Sequence, residues 1–344
     1  MRTVLHLVGS AVSDFHADLS RLYAADCLDA VADPDRYDHR VAWVSPDGTW
    51  RFPADLSRAA LAEADPVPAG DAIAAVAGMG VDVAVPQMFC VPGMTAYRGL
   101  LDVLRIPFLG NAPDVMAVAA NKARARAVVA ADGVAVPHGE LLRPGDTPSL
   151  AAPYVVKPVD TDNSLGLALV RDPADGPAAL ATAFTHSHEV LVESYVELGR
   201  EVRCGIVERP VEHGTELVGL PLEEYDVDTD RKPVRLHDDK IAAAADGELS
   251  LAAKDGVRAW MVDVADPVTE TVWAAARACH RALGCRDYSL FDFRIDPAGR
   301  PWFLEASLYN SFARQSVVTM MAEAGGIALP DLFASTIDAA LARG

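Results

Sequence analysis

Two periods of apolar residues alternate along the first 110 positions. Runs at Val4 to Val8, Val41 to Val44, Val81 to Val85 and Ile106 to Leu109 have the length and content of buried strands. Between them, Asp18 to Ala32, Gly70 to Ala77 and Thr95 to Leu104 carry apolar residues at helical spacing. Strands alternating with helices predict a parallel sheet covered on both faces, and ligands of such sheets gather beyond the carboxyl ends of the strands. The loops after Val8 and Val85 are therefore candidate site segments.

From Asn111 the pattern changes. An Ala-rich helix carrying Lys122 is expected to about Ala131, then the turn Asp132-Gly133 and a strand from Pro153 to Pro158. A polar loop from Val159 to Ser164 is closed by Gly166. A helix from about Gly176 to Thr185 leads to the strand Glu189 to Glu193, and residues 201 to 222 read as further sheet. The charged, Ala- and Gly-rich stretch from Glu223 to Val257 has little periodicity, as expected of a functional lid or a disordered loop. A helix from about Pro267 to Leu283, a hairpin from Tyr288 to Ser307 and a terminal helix from about Leu329 complete the chain. No run approaches the 18 or so apolar residues of a membrane span. The first apolar run is interrupted by His6 and lacks a clean cleavage site, so it reads as a strand rather than a leader.

Composition narrows the classes of function. At 344 residues, with 51% hydrophobic and 23% charged, the chain is expected to fold as two or three domains with substantial cores. The 30 Lys and Arg against 49 Asp and Glu give a formal charge of -19, which argues against nucleic-acid backbones and anionic membrane surfaces as partners. Five cysteines, odd in number and without a C-x-x-C pair, suggest reduced thiols and a cytoplasmic protein. No G-x-x-x-x-G-K-[ST], G-x-S-x-G or H-E-x-x-H is present. His186-Ser187-His188-Glu189 reads as a solvated turn, and Cys279-His280 with Cys285 as core packing.

The most informative stretch is Leu290 to Ser307. Two alternating runs flank a four-residue loop, Pro297 to Arg300, and pairing Asp296 with Pro301 sets Asp292 opposite Glu305. Phe291, Phe293 and Leu304 are then expected on the other face. Two adjacent carboxylates repel unless a positive charge lies between them, and hard oxygen ligands of this kind suit Mg²⁺ bridging to a substrate phosphate. A solvated outer face, or neutralisation by Arg294, would account for the same pair.

The order of further motifs extends the picture. Lys122 after Ala120-Asn121, Val155-Val156-Lys157-Pro158, Leu191-Val192-Glu193, Gly199-Arg200-Glu201-Val202, Lys240, Ala282-Leu283-Gly284-Cys285, then Asp292 and Glu305, resemble the ATP-grasp fold. The series is most similar to the D-alanine–D-alanine ligase group of carboxylate-amine ligases, from about Leu100 to the end. The resemblance implies a mixed α/β and α+β multi-domain chain: a Rossmann-like domain at 1–111, a central ATP-grasp subdomain at 112–196 and a C-terminal subdomain at 197–344 with metal site and lid. It implies ATP held by Lys122 and Lys157 at the phosphates, by Glu193 and the Ser194 to Val196 backbone at the adenine, by Glu201 at the ribose and by Lys240 at the γ-phosphate. One or two Mg²⁺, or Mn²⁺, would be held by Asp292, Glu305 and Ser307, the last standing where the family has Asn; Asn310 is an alternative. A homodimer, and small carboxylic-acid and amine substrates such as amino acids or a dipeptide, are implied as well.

Departures concern the substrates. Ser13 to His16 occupies the loop where the family carries a glutamate for the first amino group, leaving His16 as the candidate contact. Ile241 follows the lid lysine where the family has tyrosine. Leu290 replaces an arginine that stabilises the acyl oxyanion, with Arg294 the expected substitute. Arg314 and Ser316, in the segment matching the acceptor loop, are expected at the second substrate's carboxylate. The expectation is an ADP-forming amide ligase acting on something other than two D-alanines. A catalytically silent MgATP binder and transfer of the acyl phosphate to a non-amine nucleophile are the alternatives.

Overall fold

Three sheets carry the chain, described at residues 1–162, 164–230, 232–234 and 259–344 in a computed structural model. The first contains β1 (Arg2–Gly9), β2 (Tyr37–Val44), β3 (Trp50–Arg51) and β4 (Val83–Pro86), in the order β3-β2-β1-β4. β1 runs parallel to both β2 and β4. Its Leu5 and Leu7 pack on Ala72, Val76 and Leu101, whereas Val8 packs on Ala17 and Ala24 of helix Asp14–Ala30. A central strand buried on both faces explains why apolar residues occupy consecutive positions on either side of His6. The expected strand Ile106 to Leu109 is reduced to a single bridge between Phe108 and Ala84.

At the carboxyl end of β1 the chain must turn hard against β2. Gly9 takes φ +102°, and a Cβ there would lie 2.1 Å from the Val44 carbonyl oxygen, so only glycine fits. The Gly9 amide donates to Ser20 Oγ, whose hydroxyl donates to the Gln87 carbonyl. Helix Asp14–Ala30, which carries His16 in its first turn rather than in the loop before it, is thereby fastened just beyond the end of β4.

The second sheet is wholly antiparallel: β5 (Gly139–Leu142), β6 (Tyr154–Pro158), β7 (Ala168–Val170) and β8 (Val190–Ser194), ordered β5-β8-β6-β7. The third is built on β9 (Arg200–Val211), which pairs with β10 (Gly214–Gly219) at one end and β11 (Glu223–Tyr225) at the other. β12 (Ala259–Met261), β13 (Tyr288–Ile295) and β14 (Pro301–Ala306) complete the order β12-β11-β9-β13-β14. Helix Pro267–Leu283 covers one face, capped by Asp266, which accepts from the Val268 amide, and ended by Gly284 in the left-handed region. Phe291, Phe293 and Phe303 meet at ring separations of 6.2–6.4 Å beneath it.

The single helix expected from Asn111 is two, Pro113–Ala119 and Lys122–Ala131, with Asn121 capping the second through the Arg124 amide. Both pack in the core of the third sheet, through Val115, Met116, Ala125 and Val129. The terminal helices, Val317–Ala324 and Leu329–Arg343, bury Met321, Phe333 and Ile337 with Val4, Val83 and Val85 of the first sheet. Among the described residues no single helix is long and apolar enough to cross a membrane.

The hairpin departs from the simple register. Ile295, not Asp296, pairs with Pro301, and an irregularity between Asp292 and Phe293 leaves Leu304 as the extra residue. Beyond this bulge Asp292 does face Glu305. The expected placement of Leu304 on the face of Phe291 and Phe293 is corrected: Phe303 takes that core position, and Leu304 lines the cleft beside Glu305.

Candidate active site

The second and third sheets close on a cleft with about 760 Å³ of space when its opening to solvent is included. Lys122, Lys157, Glu193, Glu201, Asp292 and Glu305 all line it. β6 and β8 bring Lys157 and Glu193 together because Lys157 stands opposite Leu191 and Val155 opposite Glu193. Lys157 Nζ lies 2.5 Å from Glu193 and donates to the Leu304 carbonyl at 3.4 Å. Both side chains are almost fully buried, so their charges interact with little screening from water. Lys122 opens its helix, donates to the Thr161 carbonyl and stands 3.6 Å from Glu305. It thus joins the loop after β6 to the carboxylate end of the hairpin.

The β9–β13 ladder is a checkerboard of charge. Arg294 sits opposite Glu201, and Asp292 opposite Arg203, so successive rungs on the cleft face carry an arginine–carboxylate pair of reversed sense. Arg294 Nη2 lies 2.7 Å from Glu201 and donates to the Pro233 carbonyl, while Nη1 donates to the Val196 carbonyl. The guanidinium also lies 5.2 Å from the Tyr195 ring centre. Arg203 grips Asp292 with a fork, Nε to Oδ1 at 2.5 Å and Nη2 to Oδ2 at 2.8 Å. Burial works against the Arg203 charge, but Asp292, Tyr225 and Glu223 together outweigh it and leave the guanidinium more firmly protonated than usual.

Several expected roles are redistributed by these contacts. Arg294 is committed to Glu201 and the Val196 carbonyl, two residues along β13 from Asp292, and Arg203 is the arginine bonded to Asp292. Arg314 is turned away to helix Asp14–Ala30, where Nη1 meets Asp26 at 2.7 Å and Nη2 meets Asp29 at 2.6 Å. It anchors the acceptor segment to the first sheet rather than presenting its fork to a substrate. Ser316 is buried, its hydroxyl donating to Asn310 Oδ1 at 3.1 Å, and Asn310 Nδ2 is buried without a partner among the described residues. Ser307 donates its amide to the Leu290 carbonyl and lines a smaller pocket with Met94, Met116, Asp162, Glu305 and Tyr309. His16 bonds Ser13 Oγ through its ring at 2.8 Å; burial pushes the Asp162 carboxyl above the ordinary range, with Lys122 and, least, His16 acting against it. The Ser194 amide is spent on the His138 carbonyl and that of Tyr195 on Pro153, while Ser194 and Val196 both line the cleft. Lys240 and Ile241 lie outside the described residues.

Residues not singled out from the sequence also converge here. Arg126 Nε lies 3.0 Å from Glu193, giving that carboxylate two cations. Tyr309 stands beside Asp162 and Glu305, and burial with these two acids holds its phenol well above the ordinary range. Arg203 carried a usable signal, two residues after Glu201 and hence on the same strand face. Arg126 and Tyr309 had none, since each depends on how distant segments pack. His186 and His188 are exposed, and no group of three or more His, Cys, Asp or Glu with metal-holding geometry occurs among the described residues. Two carboxylates and a serine hydroxyl remain as hard oxygen donors, which fits an ion that completes its shell with water and phosphate.

Two sheets closing on a cleft, lysines on its walls and a facing carboxylate pair on a hairpin define the ATP-grasp class of ligases. The D-ala D-ala ligase C-terminus family model matches residues 146–338, more than half of the chain. The chain belongs to the D-alanine–D-alanine ligase family, and it is an ATP-dependent ligase that joins a carboxylate to an amine with formation of ADP. It is 28% identical to a D-alanine--D-alanine ligase of Mycobacterium sp. (strain JLS) over 94% of each chain. It is 29% identical to the enzyme of Geobacter sulfurreducens over 68% of this chain and 69% of that one. Among solved structures, the VanG D-Ala:D-Ser ligase of Enterococcus faecalis shares the fold with a TM-score of 0.77 at 18% identity, over 98% of this chain and 99% of that one.

Proposed function

We propose that the chain activates the carboxylate of one amino-acid-like substrate with ATP and condenses it with the amine of a second. A carboxylate oxygen attacks the γ-phosphorus, and the bond to the β-phosphate oxygen breaks to release ADP. The amine then attacks the acyl carbon, the amide bond forms, and inorganic phosphate and a proton leave. The carrying observation is the convergence of Lys122, Lys157, Glu193, Glu201, Asp292 and Glu305 on one cleft. Phosphoryl transfer depends mainly on positioning and on charge placed where negative charge develops. Lys122 and Lys157 supply that charge at the phosphates, Glu193 and the backbone near Val196 hold the adenine, and Glu201 the ribose. Asp292 and Glu305, with Ser307, would hold Mg²⁺ or Mn²⁺, which neutralises phosphate charge when bound.

For the substrates, the names of the relatives favour D-alanine, while the pocket favours a different pair. Val91, Met94 and Met116 give it an apolar wall. Its acidic groups are Asp160 and Asp162 on the loop after β6 and Glu305 on the hairpin, with no glutamate from the loop after β1. We read these changes as a shift toward a bulkier or differently charged partner for the first acid.

The test is ADP and phosphate release with mass detection of product, using D-alanine alone, D-alanine paired with other D- and L-amino acids, and hydroxy acids. Turnover that depends on an amino acid other than D-alanine is expected. Turnover with D-alanine alone, giving its dipeptide at full rate, would overturn the substrate shift and leave the ligase reading intact. MgATP binding with no turnover on any pair would favour the silent binder, and an ester or thioester product the non-amine acceptor.

A further inference from the structure

Asp292 is a metal ligand in the proposed reading, yet both of its oxygens are already engaged. Arg203 reaches it from the neighbouring strand by a two-point fork at 2.5 and 2.8 Å, with the two side chains 14% and 6% exposed. Register makes this pairing obligatory, since Arg203 and Asp292 are direct cross-strand partners and point to the same face. A planar guanidinium cannot lose its charge near neutral pH and holds such a fork with little loss of freedom. Each carboxylate oxygen has two lone-pair directions, so Asp292 keeps one on each oxygen for a further cation. The rest of the donor set is Glu305, with Lys122 3.6 Å away, the neutral hydroxyl of Ser307, and Asp160 and Asp162 from the loop after β6, which line the same small pocket.

Locally, the hairpin carboxylates Asp292 and Glu305, with Asp162 beside Glu305, already face two fixed protein cations, Arg203 and Lys122. One divalent ion supplied with the triphosphate adds to that balance. A second would have to sit close to a permanent positive charge and draw on a weak neutral ligand. We infer that Arg203 takes the place of a second divalent cation, so that the site works with one metal ion and one arginine. This rests on the ligase reading given above. Arg203 acts partly through Asp292, as a positioning residue, and partly through a fixed charge at the hairpin end of the cleft. Arg294, paired with Glu201 two rungs along the strand face, serves the nucleotide end instead.

The test counts metal ions on the full chain. With the chain in excess over an ATP analogue that carries a methylene between the β- and γ-phosphorus, Mn²⁺ is titrated and bound Mn²⁺ is read by electron paramagnetic resonance. One Mn²⁺ per bound nucleotide, with no spin coupling, is expected. In Arg203→Gln a second Mn²⁺ is expected, with the dipolar broadening of a close pair, whereas Arg203→Lys, which keeps the charge, should still bind one. Two coupled ions on the parent chain would overturn the inference while leaving the ligase reading in place, and this result needs no variant to fold. An unchanged count of one in folded Arg203→Gln would equally overturn the arginine's part. Failure to retain the analogue at all would overturn the ligase reading, and the inference with it.

Discussion

Replacing Arg294 by Met should be among the most damaging single changes on the β9–β13 ladder, for a reason that a second substitution can isolate. Arg294 and Glu201 are 5% and 7% exposed and lie 2.7 Å apart. At an effective dielectric of about 20 their attraction is about 6 kcal/mol, most of which offsets the cost of taking both charges out of water. Removing the arginine leaves the carboxylate buried alone, and such losses run to about 3–5 kcal/mol. The carbonyls of Val196 and Pro233 lose a donor as well, at about 1 kcal/mol each. If the stranded charge is the main cost, adding Glu201→Gln should restore about 2–3 kcal/mol, a coupling within the range of directly bonded pairs. Urea unfolding followed by tryptophan fluorescence measures it, because Trp302 is the cross-strand partner of Arg294 on β14. Additive losses, with the double variant no better than the sum of the singles to within about 0.5 kcal/mol, would refute the reasoning.

Two further outcomes follow from buried groups outside the cleft. His6 is fully buried against His39 and Gln87, and burial, with His39 beside it, holds its ring well below the ordinary value; burial lowers His39 too. Both take up a proton near pH 6.5 only when unfolded, so stability should be level above about pH 7 and fall below it by up to about 1.4 kcal/mol per pH unit for each ring. Thermal melts at pH 7.5 and 5.5 that superimpose, with His6→Gln making no difference, would contradict this. All five cysteines are free and buried, and burial pushes the Cys27 thiol up to about 12. A disulfide-exchange reagent should therefore label none of them in the native chain within minutes and all five in urea; rapid native labelling would show that a core opens.

Much of this was legible in the linear text because periodicity and capping are local. Helix Pro267–Leu283 announces itself by an acidic cap, a proline in its first turn and a glycine at its end, and the buried runs of β1 and β13 by their apolar content. The acid pair on the hairpin could be named from spacing, and the two lysines on the cleft walls from the family resemblance. What could not be read is which cation each acid meets. The bulge at Leu304 alters the hairpin register without altering its composition, and a one-residue shift changes which face a side chain occupies. Arg314 meets Asp26 across 288 residues of chain, and Arg203 meets Asp292 across 89. Sequence alone therefore determined the elements and the chemistry available to them, since backbone preference and burial act within a few residues. Only the tertiary structure decided the pairing of charges, because Coulomb attraction and ladder register depend on distances in space that spacing along the chain does not encode.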